Sequence, residues 1–274
     1  MRQAKQALRI ISTLALGAGL CCGQYLSKGA IPVPLGGGGI SVIDGTYGFS
    51  GSSSTSNSAH NLNVQAGDQL WILAHWSPST FACTAPTFTW TFGGGSETVV
   101  QEGGNALNNW VGGQCVGQFT VQSIANATAT ETIQLVITGG NVNTSGVSGF
   151  KVGQMRGTAH AVADQVNCNN TSGPPSTTAR VPASSGSTSP CSDGTLTTTH
   201  AAAIIWAGVA NPSNASPTPT TSGCFGSTGT TPSNTTPGTD TSAIQYVILS
   251  STATDFCSFT QSSSTFNLQI AAYH

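Results

Sequence analysis

Short apolar runs of strand length recur from residue 40 to the end of the chain, and turn-forming residues separate them. The runs cover residues 40–43, 62–64, 69–76, 87–92, 97–101, 116–124, 132–138 and 150–156, then 202–209, 243–250, 256–260 and 265–273. Several alternate with the two-residue period of a half-buried strand. Ile133, Leu135 and Ile137 share one face, while Thr132, Gln134, Val136 and Thr138 share the other. Phe266, Leu268 and Ile270 repeat the pattern, which turns Asn267 and Gln269 toward water. Ala66-Gly67-Asp68, Asp44-Gly45 and Asp193-Gly194 supply turns, because Gly reaches positive φ and Asp bonds to nearby backbone. No run keeps a helical period for more than about two turns, and 34 glycines with abundant Ser, Thr and Asn disfavour helix. The pattern predicts an all-β fold, an antiparallel two-sheet β-sandwich, jelly-roll-like, of about ten to twelve strands with long disulfide-stapled loops.

The order of features repeats. A strongly apolar strand at residues 70–76 is followed by Gln118-Phe119-Thr120-Val121 and then by Phe150-Lys151-Val152-Gly153-Gln154-Met155. In the second half, residues 204–209 are followed by Gln245-Tyr246-Val247-Ile248 and then by residues 266–271. Duplicated halves, 60–160 and 195–274, suit a sandwich in which each half contributes to both sheets. Two stretches rich in Pro, Ser, Thr and Gly, residues 169–190 and 211–242, read as long loops.

The N-terminus has the layout of a secretory signal peptide over residues 1–23: Arg2, Lys5 and Arg9, then an apolar run too short to span a bilayer, then a polar break. An extended Gly/Pro-rich segment, 24–41, leads to a single domain at 42–274. An exported chain meets oxidising conditions. The six remaining cysteines, Cys83, Cys115, Cys168, Cys191, Cys224 and Cys257, then read as three disulfides. Nearest-neighbour pairing closes the polar loops, and each closure is worth about 3 kcal/mol in the chain-entropy model. No Cys/His cluster has metal-site spacing, so the expectation is no metal and no cofactor.

Charge narrows the partners. Only 6% of residues are charged, and beyond residue 23 four cations face nine acids. Nucleic acid and anionic membrane surfaces are excluded as ligands. No GxSxG elbow, HExxH or phosphate-cradling glycine motif occurs. Asp68 reads as a turn residue, His75 as a buried histidine, and Trp71, Trp90 and Trp206 as core. Trp110, flanked by Asn and Gly, is the candidate ligand-binding residue, since an exposed aromatic face can receive a sugar ring.

The stretch from Val64 through Ala66-Gly67-Asp68 into a hydrophobic strand ending at Trp76 resembles uncharacterised β-sandwich domains of exported bacterial proteins. Phe88-Thr89-Trp90 and Gly194-Thr195-Leu196-Thr197-Thr198 extend the likeness, which covers about residues 60–274 in order of features. Such domains carry an E-Y-S-G segment where this chain has Gln154-Met155-Arg156-Gly157. The resemblance implies a fold and an extracytoplasmic setting, and no catalytic residues. The expected function is that of a secreted, non-enzymatic structural or cell-surface protein, with self-association by strand donation from residues 29–41 as a filament variant. The alternatives are a carbohydrate-binding module acting through Trp110 on cell-surface glycan, and a polysaccharide-active enzyme on the same fold. The latter needs two carboxylates in one cleft.

Overall fold

Eighteen strands and no helix make up the secondary structure of the described residues. In this computed structural model these are residues 39–50, 56–62, 64–76, 87–90, 99–102, 109–111, 114–121, 124, 131–136, 148–158, 165–171, 178–179, 195–210, 217–232, 242–260 and 266–274. The first half holds β1 (Ser41–Ser50), β2 (Ser56–Leu62), β3 (Gln69–Trp76), β4 (Thr87–Trp90), β5 (Val99–Gln101), β6 (Asn109–Val111), β7 (Gln114–Val121), β8 (Glu131–Val136) and β9 (Ser148–Arg156). The second holds β10 (Gln165–Thr171), β11 (Thr178–Ala179), β12 (Leu196–Thr197), β13 (Ala203–Ala210), β14 (Thr218–Cys224), β15 (Ser242–Leu249), β16 (Thr254–Asp255), β17 (Cys257–Thr260) and β18 (Phe266–Tyr273). Every pairing is antiparallel. No helix among the described residues is long and apolar enough to cross a membrane.

Strand order is the same in both halves. The large sheet of the first half runs β1-β9-β3-β7, with β5 and β6 both on β7, and the large sheet of the second runs β10-β18-β13-β15. The small three-stranded sheets run β2-β8-β4 and β11-β17-β14, and β12 pairs with β16 in a two-stranded sheet of the second half. In each half the first and last long strands lie side by side, followed by the strongly apolar strand and its successor. No sheet of the described residues mixes strands from the two halves. Sharing of both sheets by both halves, expected from the sequence repeat, is therefore not the arrangement found: each half builds a large and a small sheet of its own.

The two large sheets face each other, β3 on β13, β7 on β18 and β9 on β15. Trp71, Leu73, Val116 and Met155 from one sheet meet Ile204, Trp206, Ile244, Ala271 and Tyr273 from the other, all buried. The indoles of Trp71 and Trp206 stack with ring centroids 5.8 Å apart. The opposite face of the second-half sheet, including Ile205, Val209, Leu268 and Ile270, is covered by Cys224, Cys257 and Phe259 of the small sheet. Both faces of β13 and β18 are thus buried, which gives them the near-continuous apolar character of interior strands.

This layering corrects the expected direction of the polar strand positions. Asn267 and Gln269 are completely buried, as are Gln118, Thr120, Gln154 and Gln245. Alternation correctly separates the faces of β18, but the face carrying Asn267 and Gln269 also carries Ala271 and Tyr273 and meets the other large sheet. The second polar loop also contains structure, since β14 lies within residues 211–242. Pro219 is tolerated because β14 is an edge strand.

Candidate functional site

Asp68 is the best-built charged position. Gln65 to Asp68 form a turn in which Asp68 N donates to Gln65 O at 3.0 Å and Gly67 adopts φ 88°. The carboxylate is fully buried. Its Oδ2 accepts Gln65 N at 2.8 Å, Gln154 Nε2 at 2.6 Å and one Arg156 guanidinium nitrogen at 3.0 Å. Oδ1 accepts Arg156 Nε at 2.5 Å. Asp68 is therefore a turn residue, as its Ala-Gly-Asp context indicates, and it also clamps the end of β9 to the start of β3. Three of these four donors fall on Oδ2 and one on Oδ1, so the carboxylate is held by its own turn, by Gln154 and by Arg156. Arg156, in the segment that departs from E-Y-S-G, provides the countercharge.

A second polar group lies between the large sheets. The Tyr273 hydroxyl contacts Thr120 Oγ1 and donates to Glu102 Oε1 at 3.3 Å. Complete burial holds the phenol well above its ordinary pKa of 10.0, and the negative charge of Glu102 pushes in the same direction. Trp71 Nε1 donates to Gln118 Oε1, and Gln118 Nε2 donates to Ile270 O, each at 3.1 Å. Trp206 Nε1 points at Met155 Sδ, 3.1 Å away. These groups are buried where the halves meet. Tyr273 with Thr120 and Glu102, Gln118 with Ile270, and Trp206 with Met155 tie the two halves together, whereas the bond from Trp71 to Gln118 joins neighbouring strands of one sheet.

The residues singled out in the sequence fall in separate places. Trp71 and Trp206 are core, and His75 is buried in β3. Trp110 lies in β6, with its backbone paired opposite Cys115, and its side chain lies outside the described residues. Cys224 and Cys257 form a disulfide between β14 and β17. Cys115 is disulfide-bonded as well. Cys83 and Cys191 lie outside the described residues, as does the side chain of Cys168, whose backbone pairs with Gln269. Residues 1–23 and 29–38 are likewise outside them. His200 and His274 stack at 3.6 Å between ring centroids, a parallel arrangement that does not converge the ring nitrogens on one point. Among the described residues no three His, Cys, Asp or Glu side chains group to hold a metal ion.

No family model, curated protein or solved structure matches the chain.

Arg156, Glu102 and Gln118 escape a reading of the sequence because their partners are distant in the chain. For Gln118 the only signal is its position two residues from Val116 on a strand whose other face is apolar.

Proposed function

We propose that the chain is a secreted, non-enzymatic structural or cell-surface protein built from two jelly-roll-like β-sandwiches in tandem, duplicates of one unit. The identical strand orders β1-β9-β3-β7 and β10-β18-β13-β15, each with its own three-stranded sheet, support the duplication. The non-enzymatic reading rests on one observation. The carboxylates of Asp68 and Glu102, the two buried acids among the described residues, are each engaged in holding strands or sheets together. An acid that serves catalysis must instead reach a reacting atom. The disulfide at Cys224 and Cys257 fits an oxidising compartment.

The test is expression of the full chain in an exporting host. The extracellular fraction should hold a protein shortened by about the first 23 residues, the length of an ordinary signal peptide, without free thiols and without hydrolysis of a polysaccharide panel. Retention in the cytoplasm with reduced cysteines overturns the localisation. Glycan cleavage that is lost on substituting a carboxylate overturns the non-enzymatic reading, and glycan binding lost in Trp110→Ala moves the function to carbohydrate recognition.

A further inference from the structure

β15 ends the four-stranded sheet, so one side of its backbone faces away from β13. Such an edge presents N–H and C=O groups that pair readily with another extended chain, and natural edges are blunted by Lys, Pro or a bulge. β15 has none of these: its sequence is SAIQYVIL, and its register with β13 runs unbroken from Ala203↔Leu249 to Ala210↔Ser242. The segment after β14 stands against the edge instead. Thr230 N donates to Tyr246 O and Tyr246 N donates to Thr230 O, both at 2.9 Å. This reciprocal pair fixes the direction of the strand's backbone. The N–H and C=O of Tyr246 face outward, and by the two-residue period those of Ile244 and Ile248 do too. Thr230 is the backbone partner of Tyr246 on that side. Ile248, 44% exposed, is also the one exposed large hydrophobic residue among them.

The segment is anchored at its base. The disulfide of Cys224 to Cys257 fixes its start, and Cys224 and Ser227 exchange both backbone hydrogen bonds at 2.9 Å. Phe225 N donates to Phe256 O at 3.1 Å, and Ser222 N donates to Thr228 Oγ1 at 3.1 Å. Gly229 lies so close to β15 that a Cβ there would stand 1.8 Å from Gln245 Oε1.

We infer that residues 225–232 form a strap that keeps β15 from pairing with β15 of a second copy of this chain, and that displacing the strap produces an antiparallel β15–β15 dimer. The occupant follows from the strand itself. Two identical strands laid antiparallel about Tyr246 bring Ile244 of each copy opposite Ile248 of the other, which uses the same outward-facing groups. A contact of this kind is two-fold and closes, so it gives a dimer and no open filament. The absence of charge on β15 removes the like-charge repulsion that would oppose self-pairing.

The experiment is sedimentation of the full oxidised chain over a concentration series, with amide exchange read at β15. Thr230→Pro removes the N–H that bonds Tyr246 O, and Gly229→Ala drives a methyl group into Gln245 while keeping every backbone donor. The wild-type chain is expected to stay monomeric. Either folded variant is expected to double in mass, with exchange at Ile244 and Ile248 slowed about tenfold or more as concentration rises. Adding Ile248→Lys to either should restore the monomer. A wild-type dimer through β15, folded variants of both kinds that stay monomeric, or a dimer indifferent to Ile248→Lys each overturns the inference.

Discussion

Gly153→Ala tests the face-to-face packing of the large sheets with a single methyl group. Gly153 sits on β9, and a Cβ built there would stand 2.3, 2.4 and 2.7 Å from Cη2, Cζ3 and Cζ2 of Trp206. Real carbon atoms do not approach so closely, so the indole or the strand must move. The indole has little room. It is fully buried, stacked on Trp71 at 5.8 Å, in contact with Tyr246 at 5.2 Å and tied by Nε1 to Met155. Overpacking of a dense core costs about 1–3 kcal/mol, and a locked ring puts this case at the upper end. For a protein of this size, about 3 kcal/mol lowers the melting temperature by roughly 6–12 °C. Trp206→Phe removes the three clashing atoms and by itself costs about 2 kcal/mol through the cavity it leaves. Because the phenylalanine makes space for the new methyl, the double variant should be about 1–2 kcal/mol more stable than the sum of the two losses predicts. Thermal and urea unfolding of the four proteins measure this directly. Strict additivity, or a Gly153→Ala protein that melts with the wild type, would show that the sheets do not meet at this point.

The other predictions concern the polar ties. Arg156→Ala leaves the buried Asp68 carboxylate with neutral donors only, and should cost about 3 kcal/mol, the low end for breaking a buried ion pair, because Arg156 is itself 33% exposed. An unchanged urea midpoint would place the pair among inert surface contacts. Tyr273→Phe should cost about 1–3 kcal/mol at neutral pH by stripping Glu102 and Thr120 of their shared partner. The phenol of Tyr273 is raised by burial above its unfolded value of 10.0. Its contribution is therefore complete below pH 10 and is lost as pH rises through the folded pKa. The gap between wild type and Tyr273→Phe should narrow in alkaline urea titrations, and a gap that widens refutes the assignment. Replacing Cys224 and Cys257 together by Ala opens a link across 33 residues, worth about 3–4 kcal/mol. Equal stability of the double variant and the oxidised parent would count against that value.

Alternation carries much of the fold in the long strands. β3, β13 and β18 match their apolar runs to within a residue or so, because each is long enough to show the pattern and is flanked by turn residues. β10 and β14 are mostly polar, QVNCNNT and TPTTSGC, and pair because a neighbouring strand offers an edge. That is a tertiary fact with no local signature. The turn role of Asp68 was legible in Ala-Gly-Asp, whereas its ion pair with Arg156 spans 88 residues and was not. Periodicity likewise separates the two faces of a strand without saying what covers them. The alternation of Asn267 and Gln269 points them to water, and the large sheet of the first half occupies that place.

That displacement bears on the scarcity of charge. A sheet with one wet face can carry Lys and Glu on alternate residues at little cost. Here the strands at the centre of the large sheets are buried on both sides, so a charge at almost any position would need a partner in the interior. An ion moved from water to such a site loses several kcal/mol unless its pairing is excellent. A neutral amide loses far less and can donate and accept at once. Gln118 uses both capacities, accepting from Trp71 and donating to Ile270 of the facing sheet. Gln245 Nε2 donates to Ser258 O across to the small sheet. The two buried acids among the described residues are held in this way, Asp68 by several donors and Glu102 by a hydroxyl. The low charge content thus follows from stacking sheets on both sides of the central strands, which leaves glutamine and asparagine to do between sheets what ion pairs do on an exposed surface.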